Sequence, residues 1–454
     1  MPALSPKRLK SLMKHEKTNK KPTNSPTGDV ASRAAALQLL QAVLHNHRSI
    51  DDAFDAAARG LEPRDRAFVR LLAATTLRRI GQIDGVLMQF VSKQPPDAVT
   101  DLLRLGAAQL LFLGTAPHAA VTTTVDLVKA KFGRLSGLAN AVLRKVADQG
   151  PALVAAQDAA KLNTPDWLWD AWVAAYGEPA ARATAEAHLI EAPLDLSLKD
   201  PASGPLWAER LGGTLLPTGS LRLPKSGKVQ ELAGFADGDW WVQDAAAALP
   251  AKVLLHALSG HAAQHIGDIC AAPGGKSAQL AAAGHTVTAV DVSAQRLGLM
   301  TTNFKRLKLD VRTVTADART WRPDQVFDGL LLDAPCSATG TIRRHPDLPF
   351  LKRPTDLDAF IRLQTALLAS VVAMVKPGAP IVYSVCSLQP EERAGVVDAV
   401  METSNLKREK ISAEAVAGES QFLTREGELR TLPSQWPERG GLDGFYGVLL
   451  RRTV

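Results

Sequence analysis

The sequence predicts a multidomain chain in four parts. These are a basic arm over 1–30, an all-α domain over 31–150, a connector with a small α/β subdomain over 151–250, and a C-terminal α/β domain with a mostly parallel sheet over 251–454. Three observations predict it. The 454 residues amount to about three domains of ~150 residues. Apolar residues recur at helical spacing near the front, whereas from Gln264 onward short β-branched or apolar runs alternate with helical stretches. A composition of 46% hydrophobic and 22% charged residues is an ordinary globular balance, which excludes disorder throughout and a collagen-like chain.

The first element is the arm. The first 28 residues carry seven Lys or Arg against the single acid Glu16, and so hold most of the chain's net charge of +7. Residues 7–21 mix lysines with Ser, Thr, Asn and Pro and show no apolar periodicity, so we expect a disordered arm. Nucleic acid is its natural partner, with a solubility tail as the other reading. No apolar run of the kind a secretory signal needs follows the charges, and the arm is not an Arg-rich amphipathic presequence; we expect a cytoplasmic protein. A membrane span needs about 18 uninterrupted apolar residues, and the richest stretch, 245–258, is cut by Lys252 and His256. No membrane partner is expected.

The front domain follows from sets such as Ala34, Leu37, Leu40 and Leu44, or Leu102, Leu105, Ala108 and Leu111, with few β-branched runs between them. Gly150-Pro151 is expected to end it. The connector opens with helices around Trp167, Trp169 and Trp172 and continues as short strand-like pieces broken by Pro and Gly. In the last domain, strands are expected over 266–270, 286–290, 311–315, 327–332 and 379–385, with helices such as 294–307 and 357–375 between them. A final run, 445–452, follows a Gly-rich turn and should pair antiparallel. Such a sheet binds its ligand at the C-terminal ends of its strands.

The residues that carry chemistry stand at those ends. The first strand runs through Asp268-Ile-Cys-Ala-Ala-Pro-Gly-Gly-Lys276 into a helix over 277–283. Its glycines let backbone approach a ligand, while Lys276 and the helix N-terminus supply donors. The spacing is neither G-x-G-x-x-G nor a P-loop. Asp291, Asp317 and Asp333 follow at successive strand ends. Each could merely cap a turn, but three in register after a Gly-Gly-Lys loop suggest a ribose acceptor in Asp291 and an adenine-edge acceptor in Asp317. Cys336 lies in Asp333-Ala-Pro-Cys-Ser-Ala-Thr-Gly-Thr341, and Cys386 in Tyr383-Ser-Val-Cys-Ser-Leu-Gln-Pro-Glu-Glu392. A helix starting near Pro390 would favour a thiolate at Cys386 through its dipole. The three cysteines, Cys270, Cys336 and Cys386, are separated by 66 and 50 positions, too far for a zinc cluster or disulfide scaffold, and no metal site is expected.

The motifs D-x-C-A-A-P-G-G-K, D-A-P-C-S-x-x-G and Y-S-x-C-S-x-x-P-x-E, between Asp268 and Glu392, resemble the signature set of S-adenosylmethionine-dependent RNA cytosine-5 methyltransferases. Asp443-Gly-Phe-Tyr-Gly-Val448 resembles a late element of that family, with Tyr-Gly where Phe-x-Ala is commoner. The resemblance implies a Rossmann-like catalytic domain. It implies cofactor contacts from Cys270, Ala271, Ala272, Pro273, Gly274, Gly275, Lys276, Asp291, Asp317 and Asp333. It further implies Cys386 as nucleophile, Cys336 as the cysteine of product release, and Asp333 at the cytosine edge. The chemistry agrees, because C5 of cytosine becomes nucleophilic only after a thiolate has added at C6. An exchange of the two cysteines is the runner-up, since Pro-Cys carries the nucleophile in DNA cytosine-5 methyltransferases.

The front of the chain, through Arg64-Asp-Arg-Ala-Phe68, Leu103 to Leu110, Pro117-His-Ala-Ala-Val121 and Asn140-Ala-Val-Leu-Arg144, resembles a NusB-like RNA-binding domain. That domain is fused to the branch of the family that acts on small-subunit (16S) rRNA, and the similarity runs over about residues 30–452, through Trp167-Leu168 and Gln243-Asp244. It implies an rRNA substrate, and we expect a monomer that meets it before assembly is complete. Arg343, Arg344, His345, Lys352 and Arg353, after the Pro-Cys loop, are expected to touch RNA phosphates. Two other readings are methylation of transfer RNA and a non-catalytic ribosome-assembly factor. The two thiols beside a cofactor loop argue against the factor, and the missing G-x-G-x-x-G against dinucleotide oxidoreduction.

Overall fold

The computed structural model describes residues 28–453, apart from 225–226, 261 and 263. The expected disordered arm lies outside the described residues except for its last three positions, which are helical. The front domain is built of helices α1 (Gly28–Leu44), α2 (Ile50–Ala57), α3 (Pro63–Arg78), α4 (Ile80–Leu87), α5 (Asp97–Leu111), α6 (Pro117–Phe132) and α7 (Ser136–Ala155). Helix α5 is its axis, burying Leu102, Leu103, Leu105, Ala107 and Ala108 against Leu39 and Leu40 of α1, Leu72 of α3 and Leu143 of α7. A helix buried on so many sides belongs inside a bundle rather than on its face. Gly150-Pro151 does not end the domain's last helix, which continues to Ala155. Gly150 serves close packing instead: a Cβ there would stand 2.7 Å from Leu111 Cδ2.

The connector begins with α8 (Ala159–Leu162), α9 (Asp166–Tyr176) and α10 (Glu178–His188), with Trp169 and Trp172 buried. A small antiparallel sheet follows, of β1 (Leu194–Leu198), β2 (Thr214–Leu215), β3 (Leu221–Leu223) and β4 (Trp240–Val242), in the order β2-β3-β1-β4. Helix α11 (Gly204–Leu211) covers it, burying Trp207 with Leu196, Leu221 and Trp240.

The last domain comprises α12 (Leu249–Ala257), β5 (His265–Ile269), α13 (Gly275–Ala282), β6 (Thr286–Asp291), α14 (Ala294–Leu307), β7 (Val311–Thr315), β8 (Gly329–Asp333), α15 (Leu348–Leu351) and α16 (Leu357–Val372). It continues with β9 (Pro380–Val385), α17 (Ala394–Met401), β10 (Leu406–Glu409), β11 (Leu429–Thr431) and β12 (Phe445–Arg452). The sheet order is β10-β12-β9-β8-β5-β6-β7, with β11 beside β12. Strands β5 to β9 are parallel, and β12 runs antiparallel to β9. Leu330, Leu331 and Leu332 of β8 and Ile381, Val382 and Tyr383 of β9 are buried, as strands covered on both faces by helices must be. The chain order reverses between β5 and β8, which opens a crevice at their C-terminal ends. Phe327 falls outside β8 and makes one parallel bridge to Val375.

The front domain docks on the segment after the Pro-Cys loop. Phe350 and Leu351 of α15 pack against the front core, Asp347 Oδ2 accepts the Ile50 N–H at 2.9 Å, and Arg78 donates to the Arg343 carbonyl at 3.0 Å. Among the described residues no helix is long and apolar enough to cross a membrane.

Candidate active site

The crevice is shaped first by the turn after β5. Cys270 adopts a φ of +60°, Ala272–Pro273 is a cis peptide, and Gly274, at φ +98°, closes the turn by donating to the Ala271 carbonyl at 2.8 Å. A Cβ at Gly274 would stand 2.3 Å from Met300 Cγ, so only glycine lets α14 pack this closely on the loop. Beneath the turn the Ser277 hydroxyl donates to Asp268 Oδ2, and burial pushes that carboxyl up to about 7. Burial, reinforced by Asp291 and Asp333, pushes the Cys270 thiol up to about 12, so its sulfur is neutral.

The three strand-end carboxylates occupy different environments. Asp291, the last residue of β6, is buried; its Oδ1 accepts from the Ser293 N–H and the Arg296 guanidinium, and its Oδ2 from the Ala272 N–H at 3.2 Å. It ties the first loop to the second. Asp317 lies two residues beyond β7 near the surface, clasped by Arg319, whose hydrogen bonds hold its carboxyl below the usual range. Val292, which the sequence reading passed over, is 69% exposed directly after Asp291. Carboxylate acceptors and an exposed apolar residue at these strand ends suit the hydroxyls and the ring of a nucleoside cofactor such as S-adenosylmethionine. Among the described residues no cluster of His, Cys, Asp and Glu suits a metal ion.

Asp333 ends β8, with Oδ1 accepting from the Ser384 hydroxyl at 2.9 Å and Oδ2 from Lys276 Nζ at 2.7 Å. Burial alone would lower the Lys276 pKa, but the Asp333 carboxylate, with charge at Cys386, raises it above the ordinary lysine value. Its ammonium also lies 5.1 Å from the centroid of the Phe445 ring.

The two remaining cysteines meet here, their sulfurs 3.4 Å apart. Gly340 N–H donates to the Cys386 carbonyl at 3.0 Å and the Leu388 N–H to Thr339 Oγ1 at 3.0 Å, so the two loops are laced together. The Cys336 thiol is pushed well above the ordinary range, first by its hydrogen bond to Cys386 and then by burial. Either sulfur can donate across this contact. The expected helix at Pro390 is only a single 3-10 turn, and α17 begins at Ala394; the positive charge that Cys386 meets is Lys276, not a helix dipole. Sequence reasoning also missed Glu392, a buried carboxylate that accepts from Ser337, Ser387 and Gln364. Its place six residues after Cys386 in the motif was the available signal.

The basic segment needs correction. Arg343 is 2% exposed and donates to the Gly440 carbonyl at 3.0 Å. Arg344 is paired with Asp443 at 2.9 Å and with Asp244, and reaches the Pro193 carbonyl. The Arg343 guanidinium is buried and that of Arg344, though 22% exposed, is taken up by its two carboxylates, so neither offers the phosphate contact expected of it. Asp195 joins the same region by a two-point pair with Arg222, which donates to the carbonyls of Arg439 and Gly441 and fastens the connector sheet to the last loop. His345, 3.7 Å from Asp51, is partly exposed, Lys352 lies over the Phe360 ring, and Arg353 is exposed beside His47.

Comparisons with known proteins bear on the family and the fold. Residues 255–451 match the family described as 16S rRNA methyltransferase RsmB/F, and residues 30–148 match the NusB family. The chain is 34% identical over 438 residues to the ribosomal RNA small subunit methyltransferase B of Vibrio vulnificus, covering 92% of this chain and 98% of that one. It is 35% identical over 448 residues to the protein of the same name from Xanthomonas campestris pv. campestris, covering 93% and 98%. Among solved structures, that of PH0851 superposes with a TM-score of 0.71 at 20% identity over 93% of this chain and 98% of its own. NSun6 from Pyrococcus horikoshii, solved with SFG, superposes with a TM-score of 0.53 at 20% identity over 64% of this chain and 99% of its own. At these identities the two structures show the shared fold.

Proposed function

The chain belongs to the ribosomal RNA small subunit methyltransferase B family of S-adenosyl-L-methionine-dependent rRNA methyltransferases, and we propose that it methylates C5 of a specific cytosine in 16S rRNA through a covalent Cys386–C6 adduct. The observation that carries this reading is the pair of sulfurs 3.4 Å apart beside the Lys276–Asp333 ion pair.

The target cytosine is unstacked into the crevice. Cys386, facing Lys276, adds as a thiolate to C6, and the C5–C6 π electrons move to C5. Asp333 and Lys276 hydrogen-bond the cytosine edge and favour the charge distribution of the adduct. Bound S-adenosylmethionine supplies an electrophilic methyl group at its sulfonium. Once C5 carries the methyl, the Cys336 thiol gives its proton to the departing Cys386 sulfur and takes the C5 proton in its place, and the C5–H electrons restore the C5–C6 bond as the C6–sulfur bond breaks. Residues 270–276 with Asp291 and Asp317 hold the cofactor, and His345, Lys352 and Arg353 remain as phosphate contacts. We read the enzyme as a cytoplasmic monomer acting before small-subunit assembly is complete, when the base is easiest to extrude.

The test incubates wild type, Cys386→Ala and Cys336→Ala with labelled S-adenosylmethionine and ribosomal RNA and resolves products on denaturing gels. Wild type should form 5-methylcytosine, Cys336→Ala should accumulate a protein–RNA adduct, and Cys386→Ala should give neither. The reverse pattern would exchange the cysteines, and methylation of transfer RNA alone would overturn the substrate.

A further inference from the structure

The serines that follow the two cysteines share one acceptor. Ser337 gives its N–H to Glu392 Oε1 at 2.8 Å and its hydroxyl to Oε2, and Ser387 gives its hydroxyl to the same Oε2. Gln364 of α16 donates to Oε1 at 3.0 Å. The carboxylate is wholly buried and these four donors are all uncharged. The same Gln364 donates to the Pro335 carbonyl at 2.9 Å, and the Tyr383 hydroxyl donates to the Glu392 carbonyl at 3.1 Å. Every group around Glu392 therefore belongs either to the Pro-Cys loop, to the Cys-Ser loop or to the strand and helix that flank them.

We propose that Glu392 is a positioning residue for methyl transfer, fixing the mutual placement of the Cys336 and Cys386 sulfurs by holding the serine beside each. This rests on the two-cysteine reading above. A carboxylate is required because only an acceptor-only group can take all four donors. Ser387 Oγ accepts the Gln389 N–H at 3.0 Å while its own hydroxyl donates to Glu392. Glutamine at 392 would keep the volume but turn an NH2 toward the two hydroxyls. Aspartate would keep the charge but, one methylene shorter, could not reach both loops.

The test uses the full chain as wild type, Glu392→Gln, Glu392→Asp and Cys386→Ala. It measures kcat and the RNA KM, S-adenosylmethionine affinity by calorimetry, and the rate at which diamide oxidises Cys336 and Cys386 to a disulfide. In that oxidation the two thiols lose two hydrogens and the azo reagent is reduced to its hydrazine, so the rate reads sulfur placement without any turnover. Both Glu392 variants should lose about 100-fold in kcat, the scale of a misplacement of about 1 Å, and form the disulfide correspondingly more slowly. Cofactor affinity and RNA KM should stay within about twofold, as for an interaction used only in the transition state. If kcat and the disulfide rate are unchanged while Cys386→Ala is dead, Glu392 has no positioning role and the two-cysteine reading stands. If Cys386→Ala still turns over, that reading itself fails. A parallel loss of cofactor affinity in both variants would instead make Glu392 a residue of the fold alone.

Discussion

Lys276 and Asp333 form an ion pair at the C-terminal edge of the parallel sheet, Nζ to Oδ2 at 2.7 Å, with side chains 11% and 29% exposed. The pair joins the helix after the first loop to the strand end that precedes Cys336. Replacing Lys276 with Met keeps the stem near Phe445 but leaves Asp333 with only the Ser384 hydroxyl. It also removes the cation that meets Cys386. Single-turnover adduct formation by Lys276→Met should fall about 100-fold or more. An unaltered rate would show that neither cysteine depends on the ammonium.

Thiol chemistry offers an independent check. Cys270, pushed up to about 12 by burial, and Cys336, raised by its hydrogen bond to Cys386, both hold their protons at neutral pH. Only the thiolate reacts with alkylating agents. Iodoacetamide at pH 8 should therefore label Cys386 first by peptide mass spectrometry, with Cys270 and Cys336 lagging. Faster labelling of Cys336 would favour the exchanged roles.

How much of this was legible in the sequence depends on how local each cause is. Asp291 and Asp333 could be placed at strand ends because each strand and the helix after it carry their own periodicity, and the structure ends β6 and β8 on those residues. Arg343 and Arg344 misled because a basic run looks solvated by itself, whereas Arg344's partners Asp244 and Asp443 stand 100 and 99 positions away. Glu392 was hidden for the same reason, since it binds Ser337 across 55 positions. Gly150-Pro151 read as punctuation because the Leu111 side chain that Gly150 accommodates belongs to another helix.

His188 should make the molecule acid-sensitive. It packs edge-on against Trp172 at 5.3 Å, and burial, with the charges of Arg343 and Arg78, pushes its pKa down to about 3. An unfolded histidine titrates near about 6.5. Between these values the unfolded chain binds the extra proton. Stability is thus complete above about pH 6.5 and is lost as pH falls toward 3, by at most about 1.4 kcal/mol per pH unit. Urea unfolding of wild type between pH 7.5 and 5 should lose about 2 kcal/mol more than that of His188→Gln. Identical losses would mean that the folded imidazole accepts its proton normally.

The docking of the front domain on the segment after the Pro-Cys loop makes a last prediction. Asp347, 3% exposed, accepts the N–H of Ile50, the first residue of α2, while Phe350 and Leu351 fill the front core. The two domains therefore share one element, and loosening it should loosen both sides. Asp347→Ala removes the acceptor of a buried helix-end N–H, a change that costs about 1 kcal/mol. Adding Phe350→Ala removes part of the apolar contact. In the double variant, hydrogen exchange should rise together in α2 and in residues 343–353 while β5 and β8 stay protected, and the RNA KM should rise with little change in cofactor affinity. Exchange that rises in α2 alone would show that residues 343–353 keep their place without the front domain, and that the domain bears on RNA only through its own surface.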